Sequence, residues 1–172
     1  MLRPLRVDDF AALHAMRSRQ DVVRWLYWDA PTEEQTRAWI EGILARPPET
    51  GTTLAVELRD SGELVGNVNV MVDPDNRQGE IGFLFHPDHQ GHGYATEAAR
   101  ALLDDAFERY DLHRVFGRLE PRNVASARVL EKLGMRREAH LIENEWVKGE
   151  WQSEAIYALL AREWAAANAA RG

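Results

Sequence analysis

The chain contains no cysteine. Disulfides, thiolate metal sites and a covalent cysteine nucleophile are therefore excluded. No apolar run reaches the ~18 residues that a membrane span requires. The first residues, Met1 to Arg6, carry no apolar stretch of signal-peptide type and run directly into Asp8-Asp9. Runs of Lys and Arg are also missing; the densest cluster is Arg136-Arg137. With 21 basic against 28 acidic residues the formal net charge is −7. A general nucleic-acid binder needs a basic face that releases counterions, so nucleic acid is not an expected partner. Repeats and low-complexity blocks are absent apart from an alanine-rich tail from about 165. What is present is ordinary for a globular chain: 172 residues, 45% apolar and 28% charged. That predicts a single domain over 1–172, cytoplasmic, with no membrane partner.

The apolar pattern predicts a mixed α/β fold. Leu2 to Arg6 reads as a first strand. Asp8 or Asp9 is placed to cap a helix bearing Phe10, Leu13 and Met16 on one side. Thr32 and Gln35 are spaced as a capping box for a second helix, running to about Ala45. Thr52 to Arg59 and Leu64 to Val72 form a hairpin around Asp60-Ser61-Gly62-Glu63. Glu80 to Phe85 is a further strand. The cleanest helical stripe follows: Ala95, Ala98, Ala99, Leu102, Leu103, Ala106, Phe107 and Tyr110. Arg114 to Leu119 reads as a strand, and Asn123 is placed to cap a helix ending at Gly134. Met135 to Leu160 reads as two strands joined near Lys148-Gly149. The predicted order is β-α-α-β-β-β-α-β-α-β-β, one mixed, mostly antiparallel sheet with helices on both faces.

The stretch that carries chemistry is Gln90-Gly91-His92-Gly93-Tyr94-Ala95, between a buried-type strand and the strongest helix. Two glycines let the backbone turn tightly, and a helix start offers free N–H groups and the positive dipole end, a combination that suits phosphate. It is not a Walker A loop, since no Gly-Lys-Ser/Thr follows, nor a dinucleotide fingerprint, since the third glycine position holds Thr96 and no acidic residue closes a second strand about 20 residues on. Alone, such a turn is also an ordinary strand-to-helix connection.

This loop resembles the Gln/Arg-x-x-Gly-x-Gly/Ala loop of the GNAT acetyltransferase superfamily. Downstream, Asn123-Val124-Ala125-Ser126 through Leu133-Gly134-Met135 is similar to that superfamily's Asn-x-x-Ser…Leu-x-Lys-x-Gly-Phe segment. The likeness is nearest the RimJ/RimL type, the branch that acetylates ribosomal-protein N-termini. The aromatic-then-Pro-Thr-Glu-Glu segment from Trp25 to Ile40 agrees with that branch, and Tyr157 to Trp164 resembles its closing strand. The resemblance implies acetyl-CoA as co-substrate and no metal. It implies that Gln90, Gly91, His92, Gly93, Tyr94 and Ala95 bind its pyrophosphate. Phe83, Leu84 and Phe85 would hold the pantetheine arm on a splayed strand, joined by Asn123. Ser126, at i+3 from Asn123, would protonate the departing thiolate, and Glu145 would draw a proton from the amine through water. Glu80 is the alternative base. Trp28 and Glu80 are candidate acceptor contacts. In a regular strand Glu143 would share a face with Glu145.

Other readings of these residues stay open. Ser126 and Asn123 also suit a helix start, and Glu145 a solvated strand. Trp25, Tyr27 and Trp28 suit helix packing as well as a pocket. His86, His89 and His92, spaced by threes, invite a metal-site reading, but Pro87 and Gly91 put them on a turn. The expected reaction is direct acetyl transfer to a primary amine, since no cysteine can carry an acetyl group. Near pH 7.4 an α-amine costs about 0.4 kcal/mol to deprotonate and a lysine about 4 kcal/mol, which favours a protein or peptide N-terminus. A polyamine, amino acid or antibiotic acceptor, a non-catalytic acyl-CoA-binding module and a histidine metal-binding domain are the rivals. A homodimer is left open.

Overall fold

A computed structural model of the protein describes residues 1–170. In chain order the elements are β1 (Leu2–Pro4), α1 (Phe10–Arg17), α2 (Gln20–Val23), α3 (Glu33–Leu44), β2 (Gly51–Glu57), β3 (Leu64–Asp73) and β4 (Gln78–Phe85). They continue with α4 (Tyr94–Arg109), β5 (Arg114–Leu119), α5 (Val124–Lys132), β6 (Arg136–Val147), β7 (Glu150–Leu160) and α6 (Ala161–Ala169). The seven strands form one sheet in the order β1-β2-β3-β4-β5-β7-β6. Only β4 and β5 pair in parallel, as α4 crosses between them.

Strand alternation sorts the side chains into two layers. Val68, Val70, Ile81, Phe85, Val115, Leu119, Ala155 and Leu159 meet α4, α5 and α6 in the larger core. The intervening residues face the other way. Ala55 and Leu84 pack there against Leu13, Met16 and Ile40 of α1 and α3. Ordinary local chemistry sets the boundaries. Thr32 accepts from the Gln35 amide (3.2 Å) while the Gln35 side chain takes the Thr32 amide (2.9 Å), the expected reciprocal cap of α3. Asn123 caps α5 through the Ser126 amide (3.2 Å).

Four expectations need correction. Asp9 does not cap α1: its carboxylate takes the Arg6 amide (2.7 Å) and the Arg3 guanidinium instead. The closing strand stops at Leu160, and the run through Trp164 into the alanine tail is helix. Glu163 accepts the Leu160 amide (2.8 Å), the alanines have high helical propensity, and Trp164 is buried with its Nε1 on Asp104 (2.9 Å). α2, too, lay outside the expected order. Finally β6 is not regular. Its register with β7 shifts between Leu141 and Glu145, and Glu143 there has φ 47°. Glu143 and Glu145 are separated by this bulge, so simple alternation does not relate them.

Candidate active site

β4 and β5 are paired only from Gln78↔Arg114 to Glu80↔Phe116. Beyond that point β4 runs on to Phe85 bonded to β3 alone, and β5 runs on to Leu119 bonded to β7 alone. The sheet therefore opens as a wedge. A cleft of about 370 Å³ fills the opening. Phe83, Leu84 and Phe85 form its β4 wall. Asn123 and Ser126 line it from α5, and Trp25 and Leu26 close it from the segment after α2.

Gln90, Gly91, Gly93, Tyr94 and Ala95 form its far end, with Thr96. Gly91 has φ 81° and Gly93 φ 86°, backbone that a side chain disfavours. With this turn, no hydrogen bond among the described residues takes up the amides of residues 91–96; the first amide bonded across the helix start is Glu97, to the Gly93 carbonyl (3.0 Å). These free donors at the positive end of a long helix fit a pyrophosphate. Arg128 and Lys132, one turn apart on α5, add cationic side chains to the same cleft. The spacing of Arg128 and Lys132 at i, i+4 was the available signal for them in the sequence. The Ser126 hydroxyl, half-buried in the cleft, makes no hydrogen bond within the described residues.

A second group of polar side chains occupies the opposite, α1/α3 face at the apex of the wedge. Arg118 of β5 donates to both oxygens of Glu80 on β4 (3.0 and 3.2 Å). Its Nη1 lies 3.6 Å from Glu154 of β7, which is only 4% exposed. The Tyr27 hydroxyl donates to the same Glu154 carboxylate (3.1 Å). Burial, then the charges of Glu154 and Glu145, push the Tyr27 hydroxyl well above its ordinary pKa, so it stays protonated. Glu145 pairs with Gln152 across the hairpin and so shares this face with Glu154. Its carboxylate is half-buried and makes no hydrogen bond or ion pair within the described residues. Glu80, the alternative base, has both oxygens committed to Arg118.

The structure thus gathers Phe83, Leu84, Phe85, Gln90, Gly91, Gly93, Tyr94, Ala95, Asn123 and Ser126 around one cleft, and sets Glu80 and Glu145 on the reverse face of the sheet. His92 does not line the cleft; it is exposed and stacks on Tyr94, ring centroids 5.5 Å apart. Trp28 lies under the Arg17 guanidinium, 4.3 Å from carbon to ring centroid, and is not part of the cleft wall. His86 and His89 meet edge to face, and among the described residues no group of three His, Cys, Asp or Glu side chains could hold a metal. Tyr27, Arg118 and Glu154 were not legible, because their meeting depends on strand register and on a contact 127 residues long.

The family profile described as an acetyltransferase (GNAT) domain matches residues 1–136. The chain belongs to the GNAT acetyltransferase family. A crystal structure of a GNAT-family acetyltransferase from Bacillus anthracis is similar at 33% identity and TM-score 0.86, covering 94% of this chain and 95% of that one. Two more distant structures share the GNAT fold. One is the spermidine N-acetyltransferase of Vibrio cholerae in complex with CoA and spermine (20% identity, TM-score 0.85, 96% and 97% covered). The other is RimL, the ribosomal L7/L12 α-N-protein acetyltransferase, in complex with CoA (21% identity, TM-score 0.84, 92% of each chain). This GNAT protein is an acetyl-CoA-dependent N-acetyltransferase. No described helix is long and apolar enough to cross a membrane.

Proposed function

We propose that the protein transfers an acetyl group directly to the α-amino group of a peptide or protein N-terminus, the reaction of the RimJ/RimL type. One observation carries this reading: an unpartnered hydroxyl lines the cleft, and an unpartnered carboxylate lies on the reverse face of the sheet within electrostatic reach of Tyr27. Ser126 lies on the cleft side and Glu145 on the α1/α3 side.

Acetyl-CoA supplies an acyl group already activated as a thioester. The amides of residues 91–96 with Arg128 and Lys132 hold its phosphates, and Phe83 to Phe85 with Asn123 line the path of its arm. Glu145 accepts a proton from the incoming ammonium through water, and the Ser126 Oγ–H gives one to the sulfur that leaves. A carboxylate base suffices for an α-amine, whose deprotonation near neutral pH costs only about 0.4 kcal/mol. Glu80 and Glu154 do not make this face a polycation trap, because Arg118 and Tyr27 already occupy them. That favours a single amine over a polyamine.

Thiol release with peptides that differ only in a free or acetylated N-terminus tests the reading. Turnover is expected with the free α-amine and is lost when it is blocked, even with an internal lysine present. Turnover only with spermidine, or only on lysine side chains, would contradict it.

A further inference from the structure

Several arginines on the α1/α3 side of the sheet are paired with carboxylates. Arg3 holds Asp9 and Glu57, Arg118 holds Glu80, and Arg37 meets Glu33. Arg17, at the end of α1, is different: within the described residues it has no carboxylate partner. Its guanidinium carbon lies 3.9 Å from the centroid of the Trp39 ring and 4.3 Å from that of Trp28. Its Nε is buried without a hydrogen-bond partner, as are Thr53 Oγ1 and Asn67 Oδ1 on the strand faces of the same layer. Unmet polar groups therefore collect on the side of the sheet that carries Glu145.

We propose that Arg17, flanked by Trp28 and Trp39, binds a carboxylate of the acceptor, so that the substrate is an α-amine carrying an anionic group. This rests on the reading that the acceptor approaches Glu145 from the α1/α3 face. Indole rings stacked on a guanidinium take up its faces and leave its in-plane edge of N–H donors open. That edge matches a carboxylate by two parallel hydrogen bonds. A cation held in this way without a partner is poorly solvated: burial lowers the Arg17 pKa to about 10, so it remains charged at neutral pH and gains from an anion. The segment that supplies Trp28 also supplies Tyr27, whose hydroxyl reaches Glu154 beside Glu145. One short stretch thus connects the cationic seat to the acidic one. The acceptor so read presents its amine to Glu145 and its carboxylate to Arg17. Either the main-chain carboxylate of a free amino acid or the side chain of an acidic first residue in a peptide supplies that anion.

The test is acetyl-transfer kinetics on matched acceptors. The panel is the free α-amino acids against their amides, N-terminal Asp and Glu peptide amides against Asn and Gln ones, and spermidine. In the wild type the anionic member of a pair is expected to have a kcat/KM about tenfold higher or more. Arg17→Met should bring that ratio to about one, lowering kcat/KM for the anionic member more than for the neutral one. Arg17→Lys, which keeps the charge beside the rings, should lower the ratio at least about threefold, and it serves if the methionine variant loses its thermal shift with CoA. The arm that shows the preference identifies the source of the carboxylate. A wild type without the preference, a preference that survives both variants, or equal loss on both members would overturn the proposal. Acetylation confined to neutral α-amines would remove Arg17's role and leave the proposed reaction standing; no acetylation of any amine would remove both.

Discussion

Ser126 and Glu145 stand out from their neighbours by what they are not bonded to. Nearby polar groups are engaged: Glu80 by Arg118, Glu154 by Tyr27, Glu120 and Glu150 by Arg122. Ser126→Ala should therefore leave CoA affinity unchanged, because the cap of α5 uses the Ser126 amide and the Asn123 side chain. Turnover should fall about 10- to 100-fold when chemistry limits the rate; unchanged single-turnover rates would return Ser126 to a helix-start role. Glu145→Gln keeps size and reach but accepts no proton, and should lower kcat by about 10² at neutral pH. Raising the pH should restore part of that loss, since more of the amine is then neutral. Glu143→Gln should do much less, for Glu143 sits exposed on the bulge. A crippled Glu143→Gln beside an active Glu145→Gln in the same pH–rate series would reverse the assignment. At this scale the sequence made Asn123 and Ser126 readable, because a cap and its i+3 partner are local. Arg118, Glu154 and Arg17 were not readable, because their neighbours are set by strand register and by the packing of α1 on α3.

α4 shows what one element contributes. Its apolar stripe, visible in the sequence, buries Ala98, Ala99, Leu102, Leu103 and Ala106 against the sheet and so fixes where the helix points. Gly93 at its start has φ 86°, and the first amides beside the cleft make no hydrogen bond within the described residues. Gly93→Val should disrupt that turn, since a β-branched residue there is strained and adds bulk where phosphate would lie. An ideal Cβ at Gly93 meets no protein atom within 4 Å, so the fold should survive. The expected result is a cooperative melt with no shift on adding millimolar CoA, where the wild type gains about 2.7 kcal/mol at 100 times its dissociation constant. An equal shift in both proteins would take pyrophosphate binding away from this loop. α6 and the β6 bulge escaped the sequence reading for different reasons. Trp164 reads equally as a strand or helix residue until Asp104 and Phe107 are beside it. The Glu143 bulge has no glycine to announce it.

Across the whole molecule, Arg3 ties the first strand to the start of α1 and to β2 through Asp9 and Glu57, with all three side chains largely buried. Burial raises the Asp9 pKa, but hydrogen bonds from Arg3 and the Arg6 amide outweigh it and hold the carboxyl below its ordinary value. A depressed folded-state pKa stabilises above the unfolded value and loses that stabilisation as pH falls through the folded one. Thermal stability should thus decline below about pH 4. Asp9→Asn should cost about 3 kcal/mol at neutral pH, or roughly 6–12 °C in melting temperature, and should flatten the acid limb. A variant melting like the wild type at pH 7 would show that this pair contributes little. Most of the order of elements, and helices on the sheet faces, followed from apolar periodicity, whereas the strand order within the sheet and the wedge between β4 and β5 did not, since strand pairing and separation leave no mark in alternation. The family resemblance supplied that expectation, and the pairing that stops at Glu80↔Phe116 bears it out.

The wedge places the proposed acid and base on opposite faces, so both substrates should be present together when the acetyl group moves. Two-substrate initial-rate kinetics with acetyl-CoA and a free-N-terminus peptide test this most directly. Double-reciprocal lines should intersect, with one CoA thiol released for each acetylated α-amine. Parallel lines, or thiol release with no acetylated amine, would contradict direct transfer.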